Sequence, residues 1–151
     1  MNYEVVTLKE KTVVGITART NNSSPEMGAV IGELWQRFYA EGIYAHIKNK
    51  SNDKALGIYS DYAGDEQDDY NITVACEVES APQLSAGIVI KTIPAGRYAK
   101  FVVKGHMQKA VAQFWQELWK MDMKRNFLSD FEEYQNADME EAEIHIYISV
   151  D

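Results

Sequence analysis

Apolar and polar positions alternate most cleanly in two places along the chain. From Tyr70 to Val78, the residues Tyr70, Ile72, Val74, Cys76 and Val78 share one face, and Asn71, Thr73, Ala75 and Glu77 the other. From Glu143 to Val150, the residues Ile144, Ile146, Ile148 and Val150 oppose Glu143, His145, Tyr147 and Ser149. Both segments predict half-buried strands. Tyr3 to Leu8 and Thr12 to Thr20 predict two more. The short charged link Lys9-Glu10-Lys11 between them reads as a hairpin turn. Ala55 to Tyr62, Gly87 to Ile93 and Arg97 to Val103 are further strands, with Pro94-Ala95-Gly96 as a turn. Phe127 to Tyr134 contains another.

The period changes to that of a helix twice. Between Pro25 and Glu41, Met27, Val30, Ile31, Leu34, Trp35 and Phe38 recur three and four apart. Ser24 suits the cap, Pro25 the first turn, Glu26 the positive end of the helix dipole and Gly42 the stop. Between His106 and Met121, the stripe is Met107, Val111, Phe114, Trp115, Leu118 and Trp119.

Laid side by side, the two halves share one layout: strand, short turn, strand, helix, strand, acidic loop, strand. VVTLKEKTVVGITART lines up with VIKTIPAGRYAKFVVKG, and IYSDY before YNITVACEV with FEEYQ before AEIHIYISV. Ala81-Pro82-Gln83 is the natural joint. The fold class expected is therefore α+β, with one domain over residues 1–151 made of duplicated β-β-α-β-β units at about 1–80 and 83–151. Two such units can share one antiparallel sheet, with both helices on one face and a groove between them.

Composition narrows the function. The chain has 151 residues, 46% of them hydrophobic, enough for a packed core. Its formal charge of −8 argues against direct nucleic-acid binding, which needs a positive surface, and is compatible with cationic ligands. No segment approaches the roughly 18 apolar residues of a membrane span, and the N-terminus lacks a signal-peptide core, so a cytoplasmic location and no membrane partner are expected. The lone Cys76 falls in a strand and reads as a buried, inert thiol. His46, His106 and His145 lack metal-ligand spacing. The acidic stretches 65–69 and 138–141 lack the pattern of a calcium loop. Neither a Gly-x-Ser-x-Gly elbow nor a phosphate loop is present. Neither metal nor cofactor is expected.

IPAGRYAKFVVKG, a Trp- and Phe-rich helix, FEEY, an acidic loop and EIHIYISV, in that order, resemble the gyrase-inhibitor-like family. That family also occurs as the effector-binding domain of AraC-type and multidrug-responsive regulators. GIYSDYAGDEQDDYNITVACEV fits its first half, so the resemblance covers nearly the whole chain. It implies the duplicated fold, a ligand site between the helices, and hydrophobic, often cationic, small-molecule ligands. It also implies an acidic contact in the Phe-Glu-x-Tyr segment, which here is Glu132. With two residues before Tyr3 and the chain ending at Asp151, no accompanying DNA-binding domain is expected.

Alternation puts Glu132 and Tyr134 on one face of their strand and Phe131 and Glu133 on the other. A carboxylate in an apolar groove calls for a compensating cation. The ligand-binding candidates are Glu132 and Tyr134, with Trp35, Phe38, Trp115, Trp119, Tyr59 and Tyr147 as walls. An aromatic stripe at helical spacing is also what an ordinary core looks like, and Glu132 could equally be a solvated strand residue. The first reading is a stand-alone module for hydrophobic cations, with no catalytic residue. The alternatives are a hydrolase using the same pocket, with Glu132 as base, and a gyrase-inhibitor-type protein-interaction role. Exposed sheet edges leave room for a homodimer.

Overall fold

A computed structural model describes residues 1–65, 67–80 and 87–151. Eight strands and three helices follow in the order β1 (Glu4–Leu8), β2 (Lys11–Thr20), α1 (Met27–Ala40), α2 (Ile43–His46), β3 (Ala55–Ser60), β4 (Tyr70–Val78), β5 (Val89–Ile93), β6 (Gly96–Gly105), α3 (Met107–Leu118), β7 (Ser129–Tyr134) and β8 (Ala142–Ser149). The strands form one antiparallel sheet in the order β1-β6-β8-β7-β3-β4-β2-β5. This is the duplicated β-β-α-β-β arrangement of a gyrase-inhibitor-like fold, with the one-turn α2 added. The joint expected at Ala81-Pro82-Gln83, and Glu66 of the acidic loop, lie outside the described residues.

One expectation fails. β1 and β2 do not form a hairpin: β1 pairs with β6 of the second unit, and β5 pairs with β2 of the first. A tight two-residue hairpin needs positive φ, which Gly, Asn or Asp supply. The two links here are Lys9-Glu10 and Pro94-Ala95, and proline is locked at negative φ. Each unit therefore hands its first strand to the other. A two-residue link spans only about 10 Å, yet β1 and β2 sit near opposite ends of the strand order. The sheet must curl until its edges approach. Val6 and Leu8 of β1 accordingly pack with Val13 of β2, Ile93 of β5, Tyr98 and Phe131 inside the curl.

Outside the curl, the helices cover the sheet unevenly. α1 packs on β2 and β4, where Leu34 and Phe38 meet Val14, Ile16, Ile72, Val74 and Cys76. α3 packs on β6 and β8, where Phe114 and Leu118 meet Phe101, Ile144, Ile146 and Ile148. The strands between these pairs, β7 and β3, lie under the gap between the helices and form the floor of a groove. α1 starts two residues later than expected. Ser24 Oγ accepts from Glu26 N at 3.2 Å within the preceding turn, and Gly42 ends the helix at φ 72°. At α3, His106 Nδ1 caps the Lys109 amide. Cys76 is fully buried, and burial pushes its thiol up to about 11, which keeps it inert at neutral pH. Among the described residues no helix is long and apolar enough to cross a membrane.

The curl leaves no space at Gly15, which β4 and β5 flank. A Cβ there would collide with the Val74 carbonyl oxygen and sit 2.6 Å from Ala75 Cα. By contrast, a Cβ at Gly32 on α1 meets nothing within 4 Å. Gly15→Ala should therefore cost roughly 1–3 kcal/mol, the range for overpacking. Gly32→Ala should gain up to about 1 kcal/mol from helix propensity. Urea midpoints of the two variants should move in opposite directions; equal shifts would mean the curl is relaxed at Gly15.

Candidate functional site

The groove holds a cavity of about 980 Å³. Each helix contributes an i, i+4 ridge to its walls: Met27, Ile31, Trp35 and Tyr39 from α1, and Met107, Val111, Trp115 and Trp119 from α3 and its end. The two ridges match position for position at one constant interval, Met with Met and Trp with Trp. The helical stripe thus splits. Leu34 and Phe38, with Phe114 and Leu118, turn into the core, while the neighbouring ridge faces the groove.

The strands of the floor continue the match. Gly57 on β3 is the register partner of Glu132 on β7. Tyr59 and Tyr134 follow two residues later on their respective strands. Trp115 stands edge-on to Tyr59 and Trp35 edge-on to Tyr134, both with centroids 5.0 Å apart. Two equivalent Trp–Tyr pairs therefore enclose the Gly57–Glu132 pair, each joining a Trp of one unit to a Tyr of the other.

Glu132 is 2% exposed. Its Oε2 accepts from Tyr59 Oη and Trp115 Nε1, and its Oε1 from Tyr134 Oη, all at 2.8 Å. All three partners are neutral. Burial pushes the carboxyl above its ordinary value, and the three hydrogen bonds pull it part of the way back. Burial and the adjacent carboxylate drive the Tyr59 and Tyr134 phenols well up, so both keep their protons and remain donors. A carboxylate offers about four lone-pair positions; one, on Oε1, is left. Gly57 makes the packing possible, since a Cβ there would lie 3.1 Å from Oε1 and 3.3 Å from Trp35 Cζ2.

The basic residue of the cavity lining is Arg125. Its guanidinium donates to Asp130 Oδ2 at 2.7 Å and lies 4.4 Å from the Phe127 ring centre. Tyr62 Oη donates to the same oxygen, and the Ser149 amide and hydroxyl donate to Oδ1. Two buried carboxylates thus share one face of β7. Asp130 carries its own cation, and Glu132 has only neutral donors.

The structure brings Glu132, Tyr134, Trp35, Trp115, Trp119 and Tyr59 together around the cavity. Two other sequence candidates lie elsewhere. Phe38 is fully buried in the α1 core because its position falls on the sheet-facing ridge. Tyr147 lies inside the curl, stacked on Phe131 at 4.7 Å, because its register partner Phe131 faces away from Glu132. Sequence reasoning missed Gly57, Asp53, Tyr62, Tyr70 and Arg125. Only the Tyr59–Tyr134 correspondence between repeats could have pointed to Gly57.

A sequence model of integron-associated effector-binding proteins matches residues 4–150. The chain belongs to that family. An integron cassette protein from the mobile metagenome of Vibrio cholerae is 28% identical, with a TM-score of 0.80 over 99% of this chain and 95% of its own. A protein solved with tetraphenylphosphonium bound is 23% identical, with a TM-score of 0.81 over 100% and 94%. A Staphylococcus aureus MU50 protein named for transcription regulation is 23% identical, with a TM-score of 0.74 over 99% of each chain. The last two show the fold alone. No curated protein sequence matches the chain at a significant level.

The raised Glu132 carboxyl carries a stability signature in this effector-binding protein. In the unfolded chain the group ionises near 4.5, and in the folded protein at higher pH. Between those two values the folded state holds the extra proton, so stability falls as pH rises and levels off above the folded value. Glu132→Gln should remove that decline. Urea unfolding followed from pH 4 to pH 8 checks it; equal slopes in both proteins would show that Glu132 is not held protonated.

Proposed function

We propose that this effector-binding protein takes hydrophobic cations into the groove between α1 and α3, with Glu132 as counter-charge. One observation carries the reading: a carboxylate removed from water and held only by neutral donors, at the floor of a cavity whose side walls are aromatic. Such a group is unstable as an anion without a positive partner. A lipophilic cation supplies the charge and loses little hydration on entering. The Trp and Tyr faces attract it through their quadrupoles and bury its apolar surface. Protons cannot be drawn from Tyr59 or Tyr134 at neutral pH, so their role is to orient Glu132. The cavity lies at the upper end of the 300–1,000 Å³ that small-molecule pockets occupy. A protein of the same fold holding tetraphenylphosphonium adds support.

The test follows the fluorescence of Trp35 and Trp115 during titration with tetraphenylphosphonium and with neutral triphenylphosphine oxide. The cation should bind saturably and the neutral analogue at least tenfold more weakly. Glu132→Gln should erase that preference. Because the cation needs the ionised carboxylate, affinity for it should rise about tenfold per pH unit below the folded Glu132 value and become flat above it. A preference that survives Glu132→Gln, or affinity that falls with rising pH, would refute the assignment.

A further inference from the structure

The cavity has a second acidic end. Asp53 lines its rim and is exposed, and no ion pair engages its carboxylate among the described residues. Its backbone is fixed: Tyr44 Oη donates to the Asp53 carbonyl at 3.1 Å, and the Lys54 amide donates to Asn52 Oδ1 at 2.9 Å. A run of aromatic rings joins this rim to the floor. Tyr134, which donates to Glu132, meets Trp35 at 5.0 Å; Trp35 stacks with Tyr39 at 6.4 Å; Tyr39 meets Tyr44 at 5.4 Å. Tyr39 is 53% exposed although it belongs to this run. Tyr134, Trp35 and Tyr39 line the cavity with Tyr44 packed behind them, so an aromatic wall runs between the Glu132 floor and the Asp53 rim.

We infer that the cavity accepts a two-headed cation, one head at Glu132 and the other at Asp53, with a flat linker lying along the Trp35–Tyr39 wall. This rests on the reading that Glu132 takes a cation. Asp53 lies four residues before Gly57, the register partner of Glu132. Four residues of chain span at most about 13 Å, which bounds the distance from Asp53 to the Gly57 position facing Glu132. The volume of about 980 Å³ leaves room for the linker. Among the described residues no basic side chain forms an ion pair with Asp53, and the Lys50 ammonium lies 4.6 Å from the Tyr44 ring centre. Lys50 gives its ammonium to the Tyr44 and Ile47 carbonyls and does not line the cavity. Arg125, which does line it, is engaged with Asp130.

The probes are a series of bis(pyridinium) compounds with aromatic linkers that set the nitrogens up to about 13 Å apart, the reach of the four-residue chain segment, and their half-charged analogues with one pyridinium replaced by phenyl. The quantity read is the ratio of their dissociation constants. The dication should bind about three- to fivefold tighter, the scale of one solvent-exposed ion pair, and added salt should shrink the advantage. Asp53→Asn should bring the ratio close to one. Glu10→Gln, which removes an exposed acid outside the cavity, should leave it unchanged. A ratio near one in the unmodified protein, or the same loss in both variants, would overturn the two-headed site in favour of a general field effect. Failure of the monocation to bind, or its indifference to Glu132→Gln, would overturn the single-headed reading as well.

Discussion

Taking the Glu132 carboxylate out of water is the constraint around which the rest of the groove is arranged. An isolated buried carboxylate is strongly disfavoured, and proteins answer by neutralising it or by pairing it. Here the answer is incomplete. The three neutral donors fix the orientation of the group and offset part of the desolvation cost, a hydrogen bond to a charged group contributing about 1.5–3 kcal/mol each. Asp130, two residues away on the same strand, shows the complete answer, with a guanidinium, a phenol, an amide and a hydroxyl on its two oxygens. The difference between these neighbours separates a carboxylate that has its own cation from one held only by neutral donors.

The duplicated architecture explains why such a residue can occur once. Two units place matching ridges and matching Trp–Tyr pairs on either side of the floor, so the walls come in equivalent sets. The register pair on the floor cannot be equivalent as well. Glu132 and Gly57 face each other across β7 and β3, and even a methyl group at position 57 would press on Oε1 and the Trp35 ring. Two carboxylates there would add like-charge repulsion to the clash. The repeat thus breaks its symmetry at the register pair on the groove floor that holds the buried carboxyl. The strand exchange of β1 and β5 ties the two units together, so the groove between them is held by the sheet rather than by contact between helices.

Much of this was legible in the sequence, for identifiable reasons. Period-2 alternation placed Glu132 and Tyr134 on one face, and period-3.6 spacing gave both helices their apolar stripes. Which half of a stripe faces core and which faces groove was not legible. Trp35 and Phe38 differ by less than one turn, and only the position of the sheet sends Phe38 inward. Tyr147 was read as polar-facing because its strand neighbours are Glu143 and His145. The curl buries that face too, and closure of a sheet leaves no trace in local alternation. The hairpin at Lys9-Glu10 failed through turn chemistry that the sequence does display, namely the lack of a residue suited to positive φ. Gly57 and the Arg125–Asp130 pair depend on long-range register, which residue spacing does not encode.

The chemistry of the groove also sets what kind of selectivity it can have. Every donor near Glu132 is already committed to it, so directional hydrogen bonds to a ligand are few. Around Glu132 what remains are ring faces and the carboxyl itself; Met27, Met107 and Met139 add thioethers, and the amides of Gln36, Gln108 and Gln116 lie farther along the lining. Ring faces reward flatness and positive charge without fixing an outline, and methionine side chains repack readily around different shapes. Discrimination should then fall between charged and neutral compounds more than between one cation and another. A groove held open by its sheet, with α1 and α3 each packed on its own strands, suits that breadth, because admitting a larger ligand need not pull a helix off the sheet.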